Sequence, residues 1–378
     1  MKKIFYTERD RSIITEKENL EHLYELKNFP VFIGCTDQGF GGDLYADMSW
    51  DICIDSGMIQ LRKLLPRDIV YSGYHSEAVG SLWVEHHKAF VKFISDFHPQ
   101  NVLEIGGSNG NLAKNYIKNS DIDSWTIIEP NPSVNSEGKI KILKAFFDQN
   151  TVIKEKVDTI VLSHVLEHIY EPNLFFQNIY EHLKIGQHLI FSIPNLNLYL
   201  QKKFSNSINY EHTYFLTEYF CEYLLMKHGF ELIKKRNFGE HSIFFASRKI
   251  EKAYSAELVN HYENNRMMYL DMISYYIQET NKLNSLINAF KGSIYLFGAH
   301  IFSQFLIYLG LNTERITNII DNSDLKTNKR LYGTKLYVMK PNIVTSNKRV
   351  AVILKAGQYQ EEVKSQLLSL KPDIICWE

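Results

Sequence analysis

The stretch VLEIGGSNGNLAK at residues 102–114 decides the fold. Apolar residues on both sides of Glu104 give the pattern of a buried strand. The chain then enters a turn that contains Gly106, Gly107 and Gly110, followed by a run able to form a helix. This succession is typical of the first βα unit of a nucleotide-binding sheet. Glycine suits such a turn because the backbone can approach a ligand where a Cβ atom would collide with it.

Three further apolar runs follow at 125–128, 157–163 and 187–194, with a helical pattern before the last. Strands that alternate with helices predict a parallel sheet, whose ligands lie beyond the carboxyl ends of the strands. Glu129 stands about twenty positions after the glycine turn, where an acid can accept both hydroxyls of a ribose. Polar and glycine residues expected at or beyond these ends are Glu104, Gly106, Glu129, His164, His168 and Asn195.

Length, charge, hydropathy and cysteine content exclude several classes of protein. A chain of 378 residues is too long for one core of usual size, and its net charge of −1 comes from mixed acids and bases. No extended basic face is visible, so nucleic acid is not the expected partner. No apolar run could span a bilayer, and the charged start MKKIFYTERD does not resemble a signal peptide. Four scattered cysteines without a C-x-x-C pair favour a cytoplasmic protein with reduced thiols.

The pattern along the chain predicts an α/β protein of several parts. Residues after 290 repeat the strand–turn–helix order, with Gly298 in the turn and Asp321 at a later strand tip. A stripe of apolar and tyrosine residues between 262 and 287 indicates one long amphipathic helix before that repeat. The predicted parts are a small N-terminal domain (1–75), a nucleotide-binding core (76–250), a connecting helix (251–290) and a C-terminal Rossmann-like domain (291–378).

The order of motifs in the core resembles that of class I S-adenosylmethionine-dependent methyltransferases. The E-x-G-x-x-x-G loop, Glu129 and the segment LSHVLEHIYEPNLFFQNIYEHLKIGQHLIFSIPN at 162–195 carry the likeness. A dinucleotide dehydrogenase would have G-x-G-x-x-G, whereas Asn109 stands at the third position after Gly106. The resemblance implies a Rossmann-like parallel sheet, S-adenosyl-L-methionine as cofactor and S-adenosyl-L-homocysteine as product. The expected cofactor-binding residues are Glu104, Gly106, Gly107, Gly110, Glu129, Pro130, Asp148 and His164.

The whole layout resembles the sugar C-methyltransferases that act on nucleotide-linked keto-sugars. SGMIQL at 56–61, HSEAVGSLW at 75–83 and the triplet Tyr210-Glu211-His212 carry this likeness beside the core motifs. It implies C-methylation through an enolate in polysaccharide biosynthesis or in making a glycosylated metabolite. The expected substrate-binding residues are Asn195, Asn209, Gly298, Asp321 and Tyr359.

Carbon methylation requires a general base and a donor that stabilises the enolate. The triplet supplies His212 as base, Glu211 to hold its imidazole and Tyr210 as hydroxyl donor, and the family places His168 near the reacting centre. The alternative interpretation is structural: His212 binds backbone before the next helix, and His168 packs or caps. Asp148 is equally compatible with a surface loop, and the C-terminal residues with turns that only shape the fold.

The family's N-terminal domain usually binds zinc through two C-x-x-C pairs, but this region has only Cys35 and Cys53. We therefore expect no metal. Two other functions remain open: O- or N-methylation of a related small molecule, and a non-catalytic module that keeps the cofactor fold. A monomer and a homodimer are both compatible with the sequence.

Overall fold

The computed structural model describes residues 6–71, 81–251 and 257–378. Most of the HSEAVGSLW segment and the predicted boundary at 75/76 lie outside these residues. The N-terminal part has an antiparallel sheet of order β2-β4-β5, in which the Trp50 and Ile52 side chains are fully buried. Its elements are β1 (Thr7–Glu8), β2 (Leu20–Pro30), β3 (Cys35–Thr36), β4 (Tyr45–Cys53), β5 (Ile59–Leu61), β6 (Lys63–Leu64) and the short helix α1 (Arg67–Val70).

The central part is a seven-stranded sheet of order β12-β13-β11-β10-β7-β8-β9. The strand predicted at the head of the glycine loop is β7, and all its residues are buried because helices cover both faces of the sheet. The elements of this part are α2 (Ser81–Ser95), β7 (Asn101–Ile105), α3 (Asn111–Ile117), β8 (Ser124–Ile128), β9 (Ile140–Leu143), β10 (Thr159–Ser163), α4 (Pro172–His182), β11 (His188–Pro194), α5 (Leu196–Gln201), α6 (Glu218–Lys227), β12 (Phe230–Phe238) and β13 (Ser242–Lys249).

The α/β prediction with a Rossmann-like core is confirmed, with one difference. The central sheet is mixed, because β13 runs antiparallel to both neighbours, β11 and β12. The short turn between β12 and β13 allows this, since antiparallel strands need only a hairpin. The other pairings in this sheet are parallel, so the carboxyl ends of β7, β8, β10 and β11 meet at one edge. We call this edge the core edge.

A 28-residue helix, α7 (Tyr262–Ala289), leads to the last part. The predicted stripe packs inward, with Tyr269, Ile273 and Ile287 buried. A parallel five-stranded sheet of order β17-β15-β14-β18-β19 follows, and we call its carboxyl edge the C-terminal edge. Its elements are β14 (Ser293–Phe297), α8 (Ile301–Tyr308), β15 (Ile316–Ile320), β16 (Arg330–Leu331), β17 (Val338–Met339), β18 (Val350–Ile353), α9 (Gln360–Leu370) and β19 (Ile375–Trp377).

The N- and C-terminal parts are joined directly. Strand β3 pairs with β16, and the buried Arg330 guanidinium forms an ion pair with Asp43 at 2.6 Å. One apolar cluster runs from the N-terminal sheet across α7 to α8 and the C-terminal sheet. The exact boundaries of the four parts stay predictions. None of the helices in the described ranges is long and apolar enough to cross a membrane.

Candidate cofactor and methyl-transfer site

The glycine loop turns at Gly106, whose φ of +77° favours glycine. Its N–H donates to the Ile128 carbonyl at 2.9 Å, which fixes the turn to the neighbouring strand β8. A Cβ atom at Gly106 would lie 2.6 Å from Val165 Cγ2, and one at Gly107 would lie 2.6 Å from Ile127 Cγ2. Close packing therefore requires glycine at both positions, and at Gly106 the backbone conformation requires it as well.

Glu129 joins the end of β8 to this loop. Its Oε2 accepts a hydrogen bond from the Ser108 N–H at 3.1 Å, and its Oε1 accepts one from the Asn131 N–H at 2.9 Å. A carboxylate has about four lone-pair positions, so two remain for hydroxyl donors such as those of a ribose. Pro130, which lies between Glu129 and Asn131 in the chain, is half-buried at the core edge.

Glu104 lies beneath the loop rather than beside the ligand space. It is 3% exposed, and its Oε2 accepts a hydrogen bond from the Trp125 indole at 2.7 Å. Burial raises the pKa of Glu104 to about 7. The hydrogen bond from the Trp125 indole acts against this shift, and the nearby charge of Glu129 adds to it. The prediction of a direct cofactor contact is corrected accordingly: Glu104 supports Gly107, whose added Cβ would come within 2.9 Å of the Glu104 Cδ atom.

Asp148 belongs to the turn after β9. Its Oδ1 accepts a hydrogen bond from the Asn150 N–H at 2.8 Å, and its own N–H donates to Thr151 Oγ1. These bonds hold the turn in shape. The role of Asp148 toward an adenine stays a prediction.

A cluster of ionisable side chains forms around the turn Leu166–His168, which follows the end of β10. Glu167 is fully buried, and ligand atoms of Glu167, His168 and His212 all lie within 4.8 Å of one another. Burial alone would raise the pKa of Glu167, but the adjacent His164, His168 and His212 outweigh it and lower the pKa to about 2. Burial, followed by the effect of His168, lowers the pKa of His212 to about 4. The cluster therefore combines an ionised carboxylate with a neutral imidazole near pH 7.

The central region matches a family of known function. Residues 84–235 match the family model described as a methyltransferase domain. Residues 84–235 form an S-adenosylmethionine-dependent methyltransferase domain. The enzyme class and the cofactor predicted from the glycine loop and Glu129 are thereby confirmed, and S-adenosylhomocysteine is the expected product.

Solved structures similar to this chain include methyltransferases of different kinds. The N-methyltransferase NodS from Bradyrhizobium japonicum WM9 is 17% identical and covers 45% of this chain and 97% of its own, with a TM-score of 0.35. Human N-acetylserotonin methyltransferase in complex with SAM is 17% identical, with coverages of 44% and 52% and a TM-score of 0.39. An O-methyltransferase family protein from Burkholderia thailandensis is 11% identical, with coverages of 45% and 57% and a TM-score of 0.37. A search of curated proteins gives no match.

In the methyltransferase domain, His168 is held by the loop that carries His212. The Glu211 carbonyl lies 2.8 Å from His168 Nδ1. A carbonyl can only accept, so Nδ1 carries the proton and Nε2 of neutral His168 carries the lone pair. Nε2 lies 3.9 Å from Glu167 Oε1. This geometry brings the rings of His168 and His212 together, with centroids 5.0 Å apart.

Tyr210 does not serve the site as predicted. Its side chain is 2% exposed, and its hydroxyl donates to the Ala46 carbonyl at 2.6 Å. The ring packs against Phe29 in the apolar cluster of the N-terminal part. Tyr210 therefore anchors the loop and is not the donor for an enolate.

Asn209 is also occupied within the loop. Its Oδ1 accepts hydrogen bonds from the backbone N–H groups of Glu211 and His212, at 2.9 and 2.8 Å. Its Nδ2 donates to the Asn206 carbonyl. We correct the substrate-binding prediction for Asn209: this side chain sets the backbone that presents His212.

The carboxylate beside His212, that of Glu167, is the residue that sequence reasoning missed. Glu211 was expected to hold the imidazole, but Glu167 lies in the same cluster as His212 and has the larger effect on its pKa. The available signal was the placement of Glu167 between His164 and His168, directly after a strand end. That placement puts a carboxylate at the core edge.

The remaining predicted substrate residues lie at both edges. Asn195 begins α5, and its Oδ1 accepts from the Leu198 N–H at 3.3 Å. Asp321 and Gly298 lie together at the C-terminal edge, whereas Tyr359 packs half-buried against the apolar cluster on the α9 face of that sheet. Substrate roles for these four residues stay predictions.

Proposed function

We propose that this methyltransferase methylates a carbon atom of a nucleotide-linked keto-sugar, with His212 as the base that forms the enolate. The observation that carries the proposal is the His212 imidazole beside Glu167. Among the described residues His212 Nδ1 has no hydrogen-bond partner although it is buried. A base that abstracts a proton must have such a free nitrogen in reach of the substrate.

The His212 ring by itself is a weak base, and the Glu167 carboxylate raises its pKa. With a pKa of about 4, the His212 ring is neutral near pH 7 and can accept a proton. The ionised Glu167 then stabilises the imidazolium that forms. The proton beside the sugar carbonyl moves to His212, and the electron pair it leaves forms the new carbon–carbon bond. S-adenosylmethionine supplies an electrophilic methyl group on a sulfonium sulfur, and that sulfur keeps the electron pair of the broken bond.

The C-terminal edge supports a substrate with a second, distant group. His300 starts helix α8 at this edge, and burial, with Lys326, lowers its pKa to about 4. Asp321 and then Glu211 act in the opposite direction on the same pKa. A substrate that extends from His212 toward Gly298 would bring a nucleotide diphosphate to the start of α8.

Proton exchange tests the proposal separately from methyl transfer. The full-length protein is incubated in heavy water with S-adenosylhomocysteine and a nucleoside-diphosphate 4-keto-6-deoxysugar. We expect deuterium to enter beside the carbonyl, and His212→Ala to reduce both exchange and turnover by roughly 10²–10⁴-fold, the usual effect of a positioned base. Glu167→Gln should reduce both by less, because it removes only the stabilising charge.

The matched control is His98→Asn, which changes an exposed histidine on the turn before β7. It should leave exchange, turnover and cofactor affinity unchanged. Near-normal turnover in His212→Ala would contradict carbon methylation through this base and would favour the O- or N-methylation alternative.

A further inference from the structure

Three histidines from distant parts of the methyltransferase domain meet beside the core edge. His86 comes from α2, His164 follows β10, and His241 precedes β13. Their ring centroids form a nearly equilateral triangle, with sides of 5.2, 5.4 and 5.5 Å. One ring nitrogen of each lies within 4.8 Å of the others.

No hydrogen bond among the described residues accounts for the burial of the His86 ring. It is fully buried, and within the described part of the chain neither of its ring nitrogens has a hydrogen-bond partner. A buried polar group without a partner costs free energy and in native proteins usually indicates a ligand, ion or water. His241 is only 4% exposed, so two of the three rings are removed from solvent.

The surroundings of the triangle resemble the outer shell of a metal site. His164 Nε2 lies 2.8 Å from Ser242 Oγ, while its Nδ1 lies 3.5 Å from Glu167 Oε1. Histidine ligands commonly have a carboxylate at the nitrogen that does not bind the metal. Trp83 packs against all three rings at 4.7–5.1 Å and gives the site an apolar wall.

We propose that His86, His164 and His241 bind one divalent transition-metal ion of the zinc type, through one imidazole nitrogen each. With Zn–N bonds of about 2.0–2.1 Å and tetrahedral angles, three imidazole centroids lie about 5.2 Å apart. The observed triangle is within a few tenths of an ångström of that value, so binding requires ring rotation rather than backbone movement. Imidazole nitrogens suit Zn²⁺, Ni²⁺ and Cu²⁺, and Ser242 or water completes the coordination.

This site differs from the cysteine site that the sequence excluded. The expectation of no metal rested on cysteine spacing in the N-terminal part, whereas these ligands come from the methyltransferase domain. A bound ion would tie α2 to the ends of β10 and β13. Through His164 it would also place a positive charge near Glu167.

Metal titration of the full-length protein tests the site without measuring methyl transfer. After treatment with a chelator, the protein is titrated with Co²⁺, whose visible absorption is strong in a tetrahedral site, and its zinc content is measured separately. We expect one equivalent of bound metal and a melting temperature that rises when Zn²⁺ is added. His86→Phe and His241→Asn should each weaken binding by roughly 100-fold or more.

Two comparisons make the result decisive. His98→Asn should bind cobalt like the wild type, and circular dichroism checks that each variant is folded. If His86→Phe is unstable, His241→Asn tests the same site. The group of Glu167, His168 and His212 is the competing location. Cobalt binding that survives in His86→Phe and His241→Asn but is lost in His212→Ala would overturn the proposal, as would wild-type protein that binds no metal.

Discussion

The core edge and the C-terminal edge are built on the same backbone arrangement. In each, a glycine N–H in the first turn donates to the last residue of the second strand, Gly106 to Ile128 and Gly298 to Ile320. In each, an acid just beyond that strand accepts two backbone N–H groups. Glu129 accepts from Ser108 and Asn131, and Asp321 accepts from Ala299 and Ser323.

Glu129 and Asp321 differ in whether a cation pairs with the carboxylate and in how many acceptor positions stay free. Asp321 is 8% exposed and forms an ion pair with Lys326 at 3.1 Å. No lysine or arginine among the described residues forms an ion pair with Glu129, which keeps free acceptor positions. Glu129 therefore keeps acceptor positions that no cation among the described residues occupies, whereas the Asp321 carboxylate is paired with Lys326.

Alanine substitutions at the two turn glycines, Gly106 and Gly298, should show the largest difference in stability between the two edges. Gly106→Ala combines left-handed strain with a 2.6 Å approach to Val165 Cγ2 and should cost about 2–4 kcal/mol of unfolding free energy, together with cofactor binding. At Gly298 an added Cβ meets nothing within 4 Å among the described residues, so only the strain at a φ of +95° remains, about 1–2 kcal/mol. Denaturant unfolding and calorimetric titration with S-adenosylhomocysteine measure both. Equal losses at the two positions would mean that packing against Val165 is unimportant.

Removing the acids should separate binding from stability. Glu129→Ala is expected to weaken cofactor binding by about 1.5–3 kcal/mol, because hydrogen bonds to a charged acceptor are lost. Asp321→Asn should leave cofactor affinity unchanged and lower the unfolding free energy by about 1 kcal/mol, since Lys326 loses its partner. Titration calorimetry on both variants checks the difference. Unchanged affinity in Glu129→Ala would contradict the ribose role of Glu129.

The smallest expected effect concerns one histidine from each edge. Burial lowers the pKa of both His212 and His300 to about 4, below the usual value of about 6.5 in an unfolded chain. Between pH 6.5 and 4 the unfolded state binds protons that the folded state does not, so the free energy of unfolding falls as the pH falls. The contribution of the two histidines to the free energy of unfolding is fully retained above pH 6.5.

Each histidine should contribute about 1–2 kcal/mol to this acid sensitivity after allowance for solvent screening. His300→Gln and His212→Gln should therefore each reduce the difference in denaturant stability between pH 7 and pH 4.5. The exposed His98→Asn variant should not reduce it. A stability that stays constant over this range in the wild type would show that neither ring is as buried as its surroundings indicate.

The methyltransferase core could be predicted because its evidence is local in sequence. Strand, glycine turn and helix follow one another directly, and Glu129 stands at a regular distance from the loop. The position of Glu104 could not be predicted in the same way. Its neighbour Trp125 belongs to another strand, and only the register between β7 and β8 decides that the carboxylate lies under Gly107.

Local sequence patterns were therefore enough to predict the α/β class, the cofactor loop and the acid at the second strand tip, because short-range backbone geometry requires those residues. Which side chains meet at the core edge depends instead on tertiary packing. It turned Tyr210 into the apolar cluster, placed Glu167 beside His212, and assembled His86, His164 and His241. These contacts join residues far apart in the chain, and packing, which no local pattern records, fixes them.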